Sequence, residues 1–322
     1  MNGSTRTENQ DAQDIAIVGC GLIGQAWAVV FARAGFRVRL YDHDPDAARR
    51  APPLIAARLS ELEDAGLLKP GQAKAANTRI AVAHSLEEAL KNACYVQENT
   101  LENLEVKSQV TADIDAVLAT EVPIGSSTSG IPASHYAHEV EGRSRCIVVH
   151  PINPPHLVPA VEVIPAPFTD PVVTEKVQDL MHQIGQSTIL LNKEVNGFVV
   201  NRLQGALLRE AFDLLAQGVA SSESIDRAIS DGLGLRWALM GPFQTIHLNA
   251  PEGVKQYVAR YGPMYEEMFA DSGTHAVWQS CVTSGLAEDL CKRFPLKHLQ
   301  EAQDERDARL MGLLRALRGA AD

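Results

Sequence analysis

Apolar residues recur along the chain with two different periods, and the change of period divides it. Up to about Leu191, short β-rich runs alternate with helical patterns. The runs are Ile15-Ala16-Ile17-Val18, Val38-Arg39-Leu40-Tyr41, Arg79-Ile80-Ala81-Val82, Cys94-Tyr95-Val96-Gln97, Val122-Pro123-Ile124, Cys146-Ile147-Val148-Val149, Val161-Glu162-Val163-Ile164 and Thr188-Ile189-Leu190-Leu191. Such alternation predicts a largely parallel sheet covered by helices on both faces. Beyond Gly197 only helical patterns are found, over 198–219, 222–232, 238–248, 252–269, 275–291 and 295–318. The chain therefore divides into an α/β domain, 1–193, and an all-α domain, 194–322. Within 46–68, Ala47, Ala51, Ile55, Leu59 and Leu62 keep a helical period, while Pro52-Pro53 is expected to break or kink the helix. Ser221 and Ser222 are candidate helix N-caps, and Gly241-Pro242 and Gly262-Pro263 are expected to punctuate the helical runs. Residues 1–13 are polar and predict a loose start.

The first two apolar runs frame a motif that narrows the fold further. Gly19-Cys20-Gly21-Leu22-Ile23-Gly24 follows the first run and opens a helix, and Asp42, ending the second, lies 18 residues after Gly24. Strand, Gly-rich turn, helix, strand and acid in that order form a dinucleotide-binding unit. Gly19 permits the tight turn, Gly21 lets the backbone approach a pyrophosphate, and Gly24 allows helix and strand to pack closely. The helix start at Leu22 and Ile23 offers N–H donors to phosphate. Asp42 is placed to accept hydrogen bonds from a ribose, and its charge repels a 2′-phosphate, so NAD is favoured over NADP. The fold predicted is a Rossmann-type doubly wound, mostly parallel sheet followed by an all-α domain.

Composition limits the partners. The net charge is −11, which argues against nucleic acid and anionic membrane surfaces. No apolar stretch is long enough to span a bilayer, and the polar start lacks a signal-peptide core, so a cytoplasmic location is expected. The five cysteines, Cys20, Cys94, Cys146, Cys281 and Cys291, are scattered and form no CxxC pair, so reduced thiols are expected and no metal site is.

Candidate chemistry sits in a second region. His150 ends an apolar run, Pro151-Ile152-Asn153-Pro154-Pro155 forces a turn, and Glu162 interrupts an apolar strand twelve residues after the histidine. A carboxylate in such a strand is costly unless paired. If the turn folds the second strand back on the first, Glu162 meets His150, giving the base and orienting acid that alcohol oxidation requires. On spacing alone, a strand-end histidine with an outward-facing glutamate is equally compatible.

Together, the Gly-rich loop, Glu102-Asn103-Leu104-Glu105-Val106-Lys107, Ser126-Ser127-Thr128-Ser129, His150-Pro151-Ile152-Asn153-Pro154-Pro155, Val161-Glu162-Val163-Ile164, Gly197-Phe198-Val199-Val200-Asn201-Arg202-Leu203 and Gly241-Pro242 resemble, in order and spacing, the L-3-hydroxyacyl-CoA dehydrogenase family. The resemblance covers about 14–250. It implies His150 as general base, Glu162 as its carboxylate partner, Ser129 as the hydroxyl that bonds the substrate oxygen, and Asn201 as an amide on the substrate or the histidine. It also implies cofactor contacts at Glu102, Lys107 and Asn153.

One departure from the family bears on substrate. Its CoA users carry a lysine-rich helical arm after the second strand, whereas 46–69 here holds Glu61, Glu63 and Asp64 and a single lysine. A small free 3-hydroxy acid is therefore expected. The runs Gly232-Leu233-Gly234-Leu235-Arg236-Trp237 and His247-Leu248-Asn249-Ala250 resemble family members that act on L-gulonate, so the resemblance implies L-gulonate as the leading substrate, with a short-chain 3-hydroxyacyl-CoA or L-carnitine as alternatives and a non-catalytic structural role least favoured. Arg236, just before Trp237, is the candidate cation for the substrate carboxylate, or else a structural cation at a helix end. The broad apolar face over 198–215 predicts a homodimer, or else the core of the helical domain itself.

Overall fold

In the computed structural model, the described residues are 13–270, Lys292 and 295–319. The elements in order are β1 (Asp14–Val18), α1 (Leu22–Arg33), β2 (Arg37–Tyr41), α2 (Pro45–Asp64), α3 (Gln72–Asn77), β3 (Ile80–Val82), α4 (Leu86–Leu90), β4 (Ala93–Glu98), α5 (Leu104–Val117), β5 (Ile124–Ser126), α6 (Ala133–Tyr136), β6 (Cys146–Pro151), β7 (Ala160–Pro165), α7 (Pro171–Gln183) and β8 (Ser187–Leu190). These strands form one sheet in the order β3-β2-β1-β4-β5-β6-β7-β8. All neighbours pair parallel except β6 and β7, which are antiparallel. Each predicted run contributes to a strand.

Alternation within the strands explains the two layers. In β1, Ile15 and Ile17 face one apolar core with Trp27 and Phe31 of α1 and Ile55 and Leu59 of α2. Ala16 and Val18 face the other core, with Leu90 of α4, Ile114 of α5 and Tyr136 of α6. Successive side chains point to opposite faces, so a strand covered on both sides must be apolar throughout, as this one is. The strand order reverses direction between β1 and β4, which opens a crevice beyond their carboxyl ends.

Further helices follow: α8 (Val200–Ala216), α9 (Ser222–Arg227), α10 (Gly234–Trp237), α11 (Pro242–Leu248), α12 (Val254–Ala270) and a terminal helix (Leu299–Gly319), with a π-helical turn over Ala228–Leu233. No strand occurs beyond Leu190 among the described residues. The chain makes two compact units, Met1–Asn201 with Gln303–Asp322, and Arg202–Ala302. The terminal helix thus groups with the first unit, where Leu310, Met311 and Leu314 pack on its core.

Three local expectations are corrected. Pro52 and Pro53 lie inside α2, which runs on unbroken because its buried face, Ala48, Ala51, Ile55, Leu59 and Leu62, packs on the core while the prolines lie off that face. Pro263 likewise lies inside α12, on an exposed side. Ser221 is the N-cap of α9, its side chain accepting from Ser224 N, and Ser222 is the first helical residue. The helix expected over 275–291 and the loose segment at 1–12 fall outside the described residues.

Candidate active site

The crevice at the sheet's reversal is built from glycine. Gly19, with φ of +94°, turns the chain after β1, and a Cβ there would lie 2.6 Å from Asn99 O. A Cβ at Gly24 would lie 1.9 Å from Gly19 O, so only glycine lets α1 approach the turn this closely. At Gly21 a Cβ would meet nothing within 4 Å, which leaves open space beside the backbone for a pyrophosphate. The first intrahelical bond runs from Gln25 N to Gly21 O, so the amides of Leu22, Ile23 and Gly24 precede the helical ladder at its positive end. Asp42 stands at the end of β2, and its carboxylate accepts from Cys20 N (2.7 Å) and Asp44 N (3.0 Å). It is thereby held beside the Gly-rich turn. The Cys20 thiol is pushed up to about 12 by burial and then by Asp42, so it stays protonated. Open space, helix start and fixed acid fit NAD.

His150 and Glu162 meet across the antiparallel pair. They are directly opposite in the β6–β7 register, and His150 Nδ1 lies 2.7 Å from Glu162 Oε2. Glu162 is fully buried and His150 is 6% exposed. An ionised carboxylate only accepts, so Nδ1–H is the donor, which leaves Nε2 as the nitrogen that can take a proton. The other oxygen, Oε1, accepts from Val199 N (2.7 Å) and Val200 N (3.0 Å). Those amides are aimed by a left-handed pair, Gly197 (φ +75°) and Phe198 (φ +51°), just before α8. A phenylalanine in that region is strained, and it is held because its ring is fully buried, 5.6 Å from the His150 ring. Burial raises the Glu162 carboxyl, but the bonds from His150 and from the Val200 and Val199 amides outweigh it, and the group sits below its ordinary value.

A second set of bonds ties in the remaining candidates. Asn201, one residue beyond the amides on Glu162, donates its Nδ2 to Ser129 O (2.8 Å). Ser129 N donates to Glu102 Oε1 (2.9 Å), and the Ser129 side chain is exposed at the carboxyl end of the sheet after β5. Hydrogen bonds thus join His150 to Glu162 and Asn201 to Ser129, and the backbone from the Val199 and Val200 amides on Glu162 to Asn201 connects the two pairs. Lys107 is only 1% exposed, and its ammonium lies 3.0 and 3.2 Å from the two oxygens of Glu98. Asn153, with Pro154 and Val158, faces Arg309, Leu310 and Leu313 of the terminal helix across a pocket of about 420 Å³. Arg236 lies on α10 in the other unit, where its charge acts on Tyr257.

Sequence reasoning missed the Val199 and Val200 amides and Glu98. The amides carry no side-chain signal. Glu98 did carry one, since an acid ending the apolar strand Ala93–Glu98 raises the same question as Glu162.

This crevice and acid-paired histidine, carried on a doubly wound sheet before a helical region, define a two-domain NAD-dependent dehydrogenase. The chain belongs to the 3-hydroxyacyl-CoA dehydrogenase family: the family's NAD-binding domain matches residues 14–195 and its C-terminal domain residues 197–288. It is 36% identical to lambda-crystallin of Oryctolagus cuniculus over 95% of this chain and 97% of that protein. It is 40% identical to an L-carnitine dehydrogenase of Streptomyces griseus over 79% of this chain and 75% of that one. Among solved structures, 5-formyl-3-hydroxy-2-methylpyridine 4-carboxylic acid 5-dehydrogenase, an NAD+-dependent dismutase, superposes with a TM-score of 0.82 at 28% identity, covering 96% of this chain and 99% of that one. No helix among the described residues is long and apolar enough to cross a membrane.

Proposed function

We propose that this enzyme oxidises the 3-hydroxyl of a small free hydroxy acid with NAD, L-gulonate being the leading substrate. The observation that carries the reading is the 2.7 Å contact between His150 Nδ1 and Glu162 Oε2. Bound NAD+ supplies the hydride acceptor. His150 Nε2 takes the hydroxyl proton, and Glu162, kept ionised by the Val199 and Val200 amides, stabilises the imidazolium and holds its tautomer. The Ser129 hydroxyl donates to the substrate oxygen as charge shifts there, and Asn201 holds the Ser129 carbonyl. Gly19, Gly21, Leu22, Ile23 and Gly24 receive the pyrophosphate and Asp42 the ribose, with Asn153 beside the cofactor. Arg236 is the proposed partner of the substrate carboxylate.

A free acid is favoured over a CoA thioester by the net charge of −11 and by the single lysine in 46–69. Two of the similar proteins, by name, act on free acids: an L-carnitine dehydrogenase and a dehydrogenase of a pyridine carboxylic acid. L-carnitine is the second reading, supported by the 40% identity to the former. The exposed apolar residues of the second unit, Leu239, Phe243 and Leu248 among them, support a homodimer through the helical region. The free thiols Cys20, Cys94 and Cys146 support a reducing, cytoplasmic setting.

The test is a panel of L-gulonate, L-carnitine and 3-hydroxybutyryl-CoA with NAD+, read by nicotinamide absorbance on the native enzyme and on His150→Gln. The expected result is turnover of a free acid, with kcat reduced about 10²- to 10⁴-fold in the variant and NAD affinity kept. Preference for the thioester would overturn the substrate class. Near-native turnover by His150→Gln would remove the histidine from the mechanism.

A further inference from the structure

The chain between β8 and α8 turns sharply against the catalytic pair. Phe198 N donates to Val195 O at 3.0 Å and closes a turn in which Gly197 has φ of +75° and Phe198 of +51°. Among the described residues, no other non-glycine residue has a positive φ. A bulky side chain rarely adopts this region, because its Cβ crowds the backbone there. The ring holds it in place. It is fully buried in the apolar core that also contains Ile164 and Leu191, and it lies 5.6 Å from the His150 ring, tilted by 54°. Two left-handed residues in succession swing the chain so that the next two amides, Val199 N and Val200 N, converge on Glu162 Oε1 at 2.7 and 3.0 Å. In an extended segment successive N–H groups point to opposite sides, so the convergence depends on the turn.

We infer that Phe198 is a positioning residue for the pair: its left-handed backbone, held by its ring against His150, aims two amides at Glu162 and sets the pH at which His150 can accept a proton. This rests on the proposed reading that His150 is the base, and it names what tunes that base. Glu162 faces His150 on β6, Ile189 on β8 and the two amides on the chain entering α8. His150 is the titratable group among these and supplies the charge that acts on Glu162. While His150 is neutral, Glu162 carries a buried, uncompensated charge, and the amides stabilise that state most; an imidazolium neutralises it. Without the amides the pair takes up its proton at a higher pH. Oxidation needs the neutral imidazole and reduction the protonated one, so the activity limbs of both directions move upward together.

The experiment uses the full-length enzyme as Phe198→Ala, Phe198→Leu, and Phe198→Ala combined with Glu162→Gln. It records kcat/KM against pH in both directions on the accepted substrate. It also follows, without turnover, the titration of the His150 ring by NMR, assigned by the signal missing from His150→Gln. Phe198→Ala frees the backbone to leave the left-handed region, and it is expected to move both limbs and the ring's midpoint up by about one unit, roughly a tenfold loss of oxidation below the limb. Phe198→Leu restores most of the buried volume and should hold the shift under about 0.5 unit. In the Glu162→Gln background, Phe198→Ala should move the ring's midpoint by less than about 0.3 unit, since no charge remains for the amides to hold.

Limbs that stay in place in folded Phe198→Ala overturn the inference even if kcat falls in both directions, because that is the pattern of a merely structural lesion. A shift of equal size in the Glu162→Gln background overturns it too, by assigning the effect to the ring's contact with His150 instead of the amides. Where Phe198→Ala does not fold, Gly197→Ala tests the same turn, since alanine disfavours a φ of +75° while the Phe198 ring is kept. The same upward shift is expected there, and an unmoved limb has the same overturning force. If His150→Gln turns over at the native rate, the reading of His150 as base fails. The ring titration then still decides the positioning role, since an unchanged midpoint in Phe198→Ala refutes it.

Discussion

Helices α1 and α8 are both rich in apolar residues and have opposite fates. In α1, nine of twelve residues are buried, and Trp27 and Phe31 are fully enclosed against the sheet. Along the seventeen residues of α8 none is buried, and Leu203, Leu207 and Leu208 are exposed. The contrast extends to the two units: Phe243 in the second is 80% exposed and Leu239 71%. The first unit gains its stability from a sheet covered on both sides, and it can therefore keep a rigid, glycine-lined crevice. The second presents apolar side chains such as Leu239 and Phe243 outward among the described residues. Amphipathic periodicity reports that a face will be covered and leaves open what covers it.

The contrast is sharpest under truncation. Trp27→Ala removes a fully buried ring and the Nε1 bond to Ser127 Oγ (3.0 Å), and should cost about 3–5 kcal/mol in urea denaturation. Phe243→Ala should change the stability of the chain by less than about 1 kcal/mol while shifting the sedimentation of the proposed homodimer toward monomer. Equal losses in the two variants would mean that the second unit has a core of its own.

A buried base makes the next, smaller difference. His156 in the first unit is pushed down to about 3, chiefly by burial and then by the charges of Arg58 and Arg33. Arg33 donates to its carbonyl at 2.8 Å. Between about pH 6.5 and 3 the unfolded chain binds a proton at this residue that the folded chain does not, so stability falls as the pH is lowered through that window. The loss is on the order of 2–4 kcal/mol, and His156→Gln should flatten that part of the profile measured by thermal melts. A slope unchanged in the variant would assign the acid sensitivity elsewhere.

The smallest effect probes the terminal helix. Leu314 is partly buried against the first unit's core, so Leu314→Ala should cost about 1 kcal/mol and speed proteolysis of the last twenty residues without altering the second unit. Resistance equal to the native chain would show that this docking contributes little.

Much of the site was legible in the residues themselves. The Gly-rich turn with Asp42 was readable because its glycines answer to backbone geometry over a fixed span of one unit. His150 and Glu162 were readable as a pair only on condition that the chain reversed between them, and their direct register across β6 and β7 meets that condition. The prolines of α2 misled, since the cost of a missing N–H was weighed without the core that offsets it. The resemblance implied cofactor contacts at Lys107 and Glu102 without showing what surrounds them. The burial of Lys107 against Glu98 and the bonds of Glu102 to the turn depend on β4 and β5 lying side by side, as the Glu98–Ser126 contact shows, 28 residues apart in the chain.

The order of apolar runs, the glycine spacing and the acid at Asp42 alone determined an NAD-binding doubly wound sheet and a helical region after it, because these are local properties of strands, turns and helices. Which charges are buried, which amides meet Glu162, what gathers the Ser129 turn and where the terminal helix docks were decided only by the tertiary structure. Desolvation and hydrogen-bond geometry arise when distant segments meet, and no spacing along the chain encodes the distance between them.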